Sequence, residues 1–84
     1  MNKYPMRINI AYNTVNPEYL YEQASMFEER EATMPYLIMS TLTFNALTKV
    51  AADHMIICDN GMCEYRDYRL LINEDLRFGE VDIR

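Results

Sequence analysis

The sequence predicts an α+β fold with two helices packed on a mixed, mostly antiparallel sheet of five to six short strands. Two segments with helical spacing of apolar residues alternate with short apolar strands along the first part of the chain. The last third contains only short strands, separated by turn residues such as Asn60-Gly61. The chain has 84 residues, 50% of them hydrophobic, which is enough for one core. We therefore expect a single domain over residues 1–84.

A strand and then a helix are predicted near the N-terminus. Arg7–Tyr12 alternates between polar and apolar residues and places Ile8 and Ile10 on one face. After a loop, Asn16-Pro17-Glu18 combines an N-cap residue, a proline suited to the first helical position and an acid in the first turn. The helix is expected to continue to about Ala32.

A second strand and a second helix follow. Pro35 disfavours helical geometry at the residue before it and so ends the first helix. Pro35–Met39 is apolar on both faces, which predicts a central strand. Ser40 or Thr41 is expected to cap a helix over Leu42–Asp53, whose buried arc should contain Phe44, Leu47, Val50 and Ala51.

The C-terminal part is predicted as four strands: Met55–Cys58, Met62–Tyr65, Tyr68–Ile72 and Glu80–Ile83. Asn60-Gly61 tolerates positive φ, as a type I′ hairpin turn requires. We expect these strands to form an antiparallel meander. The strands that are joined through helices can run parallel, with right-handed crossovers.

One face of the first predicted helix is acidic. Glu18, Glu22 and Glu29, with Ser25 between them, fall within about 60° of arc. The opposite face should be buried, since it carries Leu20, Ala24 and Phe27. Tyr19 and Met26 lie on one flank of the acidic face, and Tyr21 lies on the other.

This acidic face is the predicted contact surface for a partner. Its candidate residues are Glu18, Tyr19, Glu22, Met26 and Glu29. The formal net charge of −5 disfavours direct binding to nucleic acid, which needs a basic patch. We expect instead a protein or ribonucleoprotein complex with a basic surface. The alternative for the tyrosines is ordinary packing at the boundary of the core.

The two cysteines suggest either a bond or two inert thiols. Across a two-residue turn, the Cα atoms of Cys58 and Cys63 would lie about 4.5 Å apart, at the short end of the disulfide range. A reversible cross-strand bond is therefore possible. We expect reduced thiols instead, because cytosolic proteins rarely keep disulfides.

The sequence offers little for a metal site or for catalysis. Cys58, Cys63, His54 and Asp59 lie close together, but no established zinc spacing supplies the fourth ligand. Dense carboxylates occur at Glu18/Glu22, Glu28/Glu29/Glu31 and Glu74/Asp75. An amphipathic helix normally turns such a face to water, where general acid catalysis is weak. Ser25, Ser40 and His54 do not form a credible triad. We expect no enzymatic activity, no metal and no cofactor.

No targeting segment or membrane span is predicted. The first twelve residues lack a long apolar run and a small-residue cleavage site. No stretch approaches the roughly 18 apolar residues of a transmembrane helix. The chain is therefore expected in the cytosol, with no membrane partner.

The C-terminal half resembles tailed-bacteriophage proteins, including capsid-type domains. The segment Met34-Pro35-Tyr36-Leu37-Ile38-Met39-Ser40 leads into a helix, and a hairpin then precedes Tyr68–Arg84. The capsid pattern usually has a glycine before that last segment, where this chain has Asp67. The resemblance implies a phage origin. Small acidic phage proteins that block host defence complexes, such as anti-CRISPR proteins, are similar in size and charge.

These observations lead to three hypotheses of function. The first is a phage-encoded inhibitor of a host complex that binds through its acidic face in the host cytosol. The second is a phage structural or assembly accessory protein whose edge strands pair with other copies. The third is a small redox or metal-binding protein that uses Cys58 and Cys63. A short final strand should leave an open sheet edge, so we also expect a homodimer.

Overall fold

The computed structural model describes residues 5–11, 14–51 and 55–84. It confirms the α+β class, with two helices packed on a mixed sheet of six strands within these residues. The elements are β1 (Met6–Asn9), α1 (Pro17–Glu31), β2 (Tyr36–Met39), α2 (Thr41–Val50), β3 (Ile56–Asp59), β4 (Met62–Tyr65), β5 (Tyr68–Ile72) and β6 (Glu80–Ile83). The strand order across the sheet is β1-β6-β2-β5-β4-β3.

The sheet contains one parallel pair, β2 with β5, among the described strands. The other pairs are antiparallel. It follows that β1, β2 and β3, which are joined through the helices, run in the same direction as predicted. They are not neighbours, however, because β6 separates β1 from β2 while β5 and β4 separate β2 from β3.

The predicted C-terminal meander is only partly correct. Strands β3, β4 and β5 form it, but β6 crosses over β2 and pairs between β1 and β2. Val81 consequently lies opposite both Ile8 and Met39, and its side chain is fully buried. The final strand is therefore interior, and the sheet edges are β1 and β3 rather than β6.

The helix caps follow the sequence closely. The Asn16 side chain accepts a hydrogen bond from the Tyr19 N–H at 3.1 Å, so Asn16 is the N-cap of α1. The helix ends at Glu31, where Ala32 adopts a left-handed φ of 55°. Ser40, not Thr41, caps α2. The predicted end of α2 at Asp53 lies outside the described residues, and the helix that is described ends at Val50.

The buried side of α2 differs from the predicted arc. Thr43 and Leu47 are fully buried, Phe44 is half-buried, and Val50 is 47% exposed. Thr43 turns inward because its hydroxyl accepts a hydrogen bond from the Gly79 N–H at 2.9 Å and bonds with the Ser40 hydroxyl at 3.1 Å. This pair of bonds satisfies a buried polar group and rotates the helix toward Thr43.

The first strand is shorter than predicted. It spans Met6–Asn9, and beyond it Ala11 makes an isolated antiparallel bridge with Val15. Tyr12, the predicted end of the strand, lies outside the described residues. Ile10 is buried, and its N–H donates to the Gly79 carbonyl at 2.8 Å.

Both helices cover the same face of the sheet. The side chains of Tyr65 and Tyr68 form hydrogen bonds with α1. Leu70 is two residues after Tyr68 on β5, so its side chain is on the same face, where it lines a groove against α2. This face holds the core, including Leu37, Met39, Leu70, Val81 and Ile83. Neither helix of the described residues covers the other face, which we call the open face; strand alternation places on it Arg7, Asn9, Tyr36, Ile38, Ile57, Asp59, Met62, Glu64, Arg69, Leu71, Glu80 and Asp82.

Asp82 is a buried charge in this sheet. The guanidinium group of Arg7 donates to its two oxygens at 2.6 and 3.1 Å, and Arg84 donates at 3.3 Å. The hydrogen bond from Arg7 is the main reason that the pKa of Asp82 lies below its ordinary value, against the opposing effect of burial. Asp82 thus joins the edge strand β1 to β6.

We predict that Asp82→Asn weakens the fold and flattens its dependence on acid. The native pKa of Asp82 is lowered, so its carboxylate stabilises the fold above its unfolded-state pKa, and this stabilisation is lost as pH falls through the native pKa. At pH 7 the variant should lose about 1–3 kcal/mol of unfolding free energy, as expected for hydrogen bonds to a charged group. Urea titrations at neutral and acidic pH measure both effects. Asp59→Asn is the exposed control. An equal acid dependence in Asp82→Asn and the parent would contradict the prediction.

A second prediction compares the two glycines, which both have positive φ, +78° at Gly61 and +86° at Gly79. A Cβ at Gly79 would lie 2.6 Å from Asn9 Oδ1 and 2.8 Å from Ala11 Cβ, whereas one at Gly61 would meet nothing within 4 Å. Both alanine variants carry the backbone strain, but only Gly79→Ala adds a clash at the entry to β6. We expect Gly79→Ala to cost at least about 1 kcal/mol more than Gly61→Ala in chemical unfolding. Equal losses of unfolding free energy in the two variants would show that Asn9 and Ala11 move away from the added Cβ at no cost.

Candidate functional site

Helix α1 is held on the sheet by two tyrosine hydroxyls. Tyr65 is fully buried, and its hydroxyl donates to the Pro17 carbonyl at 2.8 Å. The Tyr68 hydroxyl donates to Glu28 Oε1 at 2.8 Å and accepts from Ser25 Oγ at 3.2 Å. Burial is the main reason that the pKa of each tyrosine is raised, so both hydroxyls stay protonated donors at neutral pH. These bonds fix the rotation of the helix.

That rotation presents the acidic face to solvent. Leu20, Ala24 and Phe27 are fully buried, as the sequence predicts. Glu18, Glu22 and Glu29 are exposed on the opposite side. Tyr19 is 38% exposed and Met26 is 55% exposed beside them. The five predicted contact residues therefore form one exposed surface, which we call the acidic surface.

Ser25 does not belong to this surface in the way the sequence suggests. It is half-buried, because its hydroxyl bonds with Tyr68 on β5. Tyr21 lies on the same flank, with its ring centroid 6.0 Å from that of Tyr68. The flank with Tyr21 thus packs toward the sheet, while the flank with Tyr19 and Met26 remains open.

Arg66 is a component of the site that the sequence does not reveal. Its guanidinium donates to both oxygens of Glu18 at 2.7 and 3.2 Å and lies 4.5 Å from the centroid of the Tyr21 ring. The hydrogen bond to Glu18 is the main reason that the pKa of Arg66 is raised. Arg66 is in the β4–β5 turn, far from α1 in sequence, so helical spacing gives no signal for this contact. Glu18, one of the three glutamates on the exposed side of α1, is therefore held in place by Arg66.

The remaining tyrosines separate into two kinds. Tyr65 and Tyr68 are structural, since both are buried under α1. Tyr36 is exposed on the open face, on the opposite side of the molecule from the acidic surface. Tyr12 lies outside the described residues. Of the aromatic residues, Tyr19 and Tyr21 alone border the acidic surface within the described chain.

The expectation of reduced thiols is wrong. Cys58 and Cys63 form a disulfide across the β3–β4 hairpin, where they are directly opposite each other with Cα atoms 4.0 Å apart. Asn60 and Gly61 both have positive φ, 54° and 78°, as the predicted turn requires. This turn sets the register that brings the two sulfur atoms together. Disulfides persist best in oxidising environments, a point that runs against the cytosolic location expected above.

The bond also removes the ligands of the proposed zinc site. Neither sulfur is available as a thiolate, and alternation along β3 places Asp59 on the open face, away from Cys58. His54 lies outside the described residues. Within residues 5–11, 14–51 and 55–84, no three His, Cys, Asp or Glu side chains gather closely enough to hold a metal ion.

The other candidate carboxylates have structural partners. Glu74 accepts from both the N–H and the hydroxyl of Thr41, at 2.8 and 2.6 Å, so it binds the first turn of α2. The hydroxyl of Thr41 is the main reason that the pKa of Glu74 is lowered. Glu28 accepts from Tyr68, and Glu31 pairs with Arg30 at 2.7 Å. These groups are engaged in holding the fold.

A groove of about 290 Å³ lies between α2 and the β3–β4 hairpin. Its described lining is mostly apolar and consists of Thr41, Phe44, Asn45, Gly61, Cys63, Leu70 and Ile72. A lining of this kind can hold an apolar side chain, but it presents no acid–base pair for chemistry.

Comparison of the chain with protein-family models, with curated proteins and with solved structures finds no match in any of the three. In the described part of the chain, no helix is both long enough and apolar enough to cross a lipid bilayer.

We predict that Cys58→Ser with Cys63→Ser keeps the fold and lowers its stability modestly. The bond closes a loop with a sequence separation of only 5, which corresponds to about 2 kcal/mol of loop entropy. Urea unfolding of the double variant should show a cooperative transition at lower denaturant. Reductant should shift the parent by a similar amount and leave the variant unchanged. A variant without a cooperative transition would show that the bond is required for folding.

Proposed function

We propose that this chain is a non-enzymatic protein-binding protein whose acidic surface docks on a basic surface of a partner. The observation that carries the proposal is the exposure of Glu18, Glu22 and Glu29 together on one side of α1, beside Tyr19 and Met26. Carboxylates steer a basic partner toward the surface, and partly exposed tyrosine and methionine side chains give it apolar area to bury.

The geometry favours recognition because the surface is prepared in advance. The Tyr65 and Tyr68 hydroxyls fix the helix, and Arg66 holds Glu18 in one orientation. Binding then orders few additional side chains, which lowers its entropic cost. The partner class that fits this chemistry is a protein or ribonucleoprotein complex with a basic groove.

The biological setting is proposed from the charge and length of the chain and from its resemblance to phage proteins. An acidic chain of 84 residues whose C-terminal half resembles phage proteins is consistent with a phage-encoded inhibitor. Its target would be a host complex that binds nucleic acid, such as a defence complex in the host cytosol, where reduction of the Cys58–Cys63 bond would leave the acidic surface on α1 intact. The acidic surface would occupy the basic groove that the nucleic acid otherwise enters.

A second candidate function is self-assembly, which the open face favours. Tyr36, Leu71, Ile57 and Met62 are exposed there. Substitutions on the two surfaces separate the two functions, because neutralising the carboxylates of the acidic surface should weaken docking on a basic partner, whereas Leu71→Arg on the open face should weaken self-assembly.

We predict that changing Glu18, Glu22 and Glu29 together to glutamine slows partner binding without unfolding the protein. Loss of the exposed Glu18–Arg66 pair should cost little, and removal of the repulsion between Glu18 and Glu22 offsets it. Association at low salt should slow by about tenfold or more, while dissociation changes less.

The experiment begins with affinity capture of a partner from host lysate and ends with measurement of its association and dissociation rates. Three baits are compared: the parent, the triple glutamine variant, and a control with Asp53, Asp67 and Asp75 changed to asparagine, which alters the net charge equally. A partner captured by the parent and by the control, but not by the triple variant, is then measured by surface plasmon resonance at two salt concentrations. Equal association rates for all three baits would refute the role of the acidic surface.

A further inference from the structure

The centre of the open face is apolar, which is unusual for a sheet face that stays in water. The parallel pair β2–β5 lies at the centre of the sheet, and such pairs are normally covered on both faces. On the open face Ile38 lies directly beside Leu71, which is 40% exposed. Tyr36, Met62 and Ile57 surround this pair, and Ile57 is 64% exposed. This sequence pattern is that of strands buried on two sides, but the helices cover only one.

Most charges of the open face lie in two ordered rows, and Glu80, opposite Asn9, lies beyond the second row. One row runs across the sheet through Ile57, Glu64, Arg69 and Tyr36, and it continues to Arg84, which exchanges backbone hydrogen bonds with Tyr36. The other row runs through Asp59, Met62, Leu71, Ile38, Asp82 and Arg7. Each row has an acidic group toward the β3–β4 end and a basic group toward the β6–β1 end.

This order makes the face complementary to itself. A two-fold axis parallel to the strands, between β2 and β5, superposes the β3–β4 end of one copy on the β6–β1 end of the other. In the first row Glu64 then meets Arg84 of the second copy, and Arg69 meets Tyr36. In the second row Asp59 meets Arg7, and Leu71 meets Ile38. These four pairings join opposite charges, a cation with an aromatic ring, or two apolar groups. In the second row Met62 meets Asp82, whose charge is neutralised by Arg7 and Arg84 of its own copy.

We propose that the open face binds a second copy of this chain in a two-fold symmetric dimer. A shallow depression of about 350 Å³ lined by Ile57, Asp59, Met62, Glu64 and other residues would receive the arginines of the second copy. The acidic helix layers remain on the outside, so the net charge of −5 on each chain is kept apart. The order of charges on the open face is thus the reason for proposing a second copy of this chain as its partner.

The size of the face sets the expected strength of the dimer. Six strands at about 4.8 Å spacing and four or five residues in length give a face of roughly 24 by 15 Å. Two such faces bury on the order of 1,000 Å² in total, which is at the lower end for a specific interface. We therefore expect a dissociation constant of about 1–100 µM.

Light scattering and sedimentation of the purified chain provide the first test. The parent should change from about 10 kDa to about twice that mass between low and high micromolar concentration. Leu71→Arg should raise the dissociation constant at least tenfold, because it buries an unpaired charge at the centre of the interface. Leu42→Arg, on α2 at a residue that is 69% exposed, is the matched control and should still form the dimer. A parent that stays monomeric at several hundred micromolar refutes the proposal.

A charge exchange tests the geometry. Glu64→Arg alone and Arg84→Glu alone each place like charges opposite each other and should each be monomeric. An equal mixture of the two variants restores both opposite-charge pairs, and it should regain a dimer. Circular dichroism of each variant shows that it is folded.

Two results would overturn the arrangement. A mixture that stays monomeric rules out the pairing of Glu64 with Arg84. Association that survives Leu71→Arg but is lost on Ile56→Pro would indicate pairing through the β3 edge instead, because the N–H of Ile56 is on the free side of that strand. Neither result depends on the binding of a partner to the acidic surface.

Discussion

The insertion of β6 between β1 and β2 is the constraint on which the rest of the structure depends. Val81 and Ile83 are on the sheet face that the helices cover. They complete the core there because β6 lies between two other strands. The same insertion buries Asp82 on the other face, where Arg7 and Arg84 must neutralise it. Gly79 permits the turn into β6, since a side chain there would strike Asn9 and Ala11. Among the described strands, β6 is the one that pairs with β1 and so holds it in the sheet.

Coverage of one sheet face by both helices divides the chemistry of the surface. The helix layer carries the acidic residues Glu18, Glu22 and Glu29, whereas the open face alternates basic and acidic groups around Ile38 and Leu71. The two surfaces point in opposite directions. Back-to-back association through the open face would leave the acidic surfaces free, and a dimer would then offer two of them to a basic partner. Simultaneous engagement of both would strengthen binding by raising the effective concentration.

The β4–β5 turn links the sheet to the candidate site. Arg66 and Asp67 have positive φ values of 48° and 76°, a conformation that aspartate tolerates but that a long side chain such as that of Arg66 rarely adopts. Arg66 is held there by its N–H bond to the Met55 carbonyl at 3.0 Å and by its contacts with Glu18 and Tyr21.

The sequence by itself determined the features that depend on neighbours within a few residues. The Asn16 and Ser40 caps, the Asn60-Gly61 turn and the division of α1 into a buried and an acidic face are local, because side chains three or four residues apart meet on a helix. Only the tertiary structure decided the place of β6, the burial of Thr43 and the contact of Arg66 with Glu18. The alternation of polar and apolar residues along a strand is the same whichever strand lies beside it. The alternation therefore does not predict the order of the strands in the sheet. Those features arise from contacts between distant segments, and the hydrogen bonds of Asp82, Thr43 and Tyr68 to those segments select among the possible pairings.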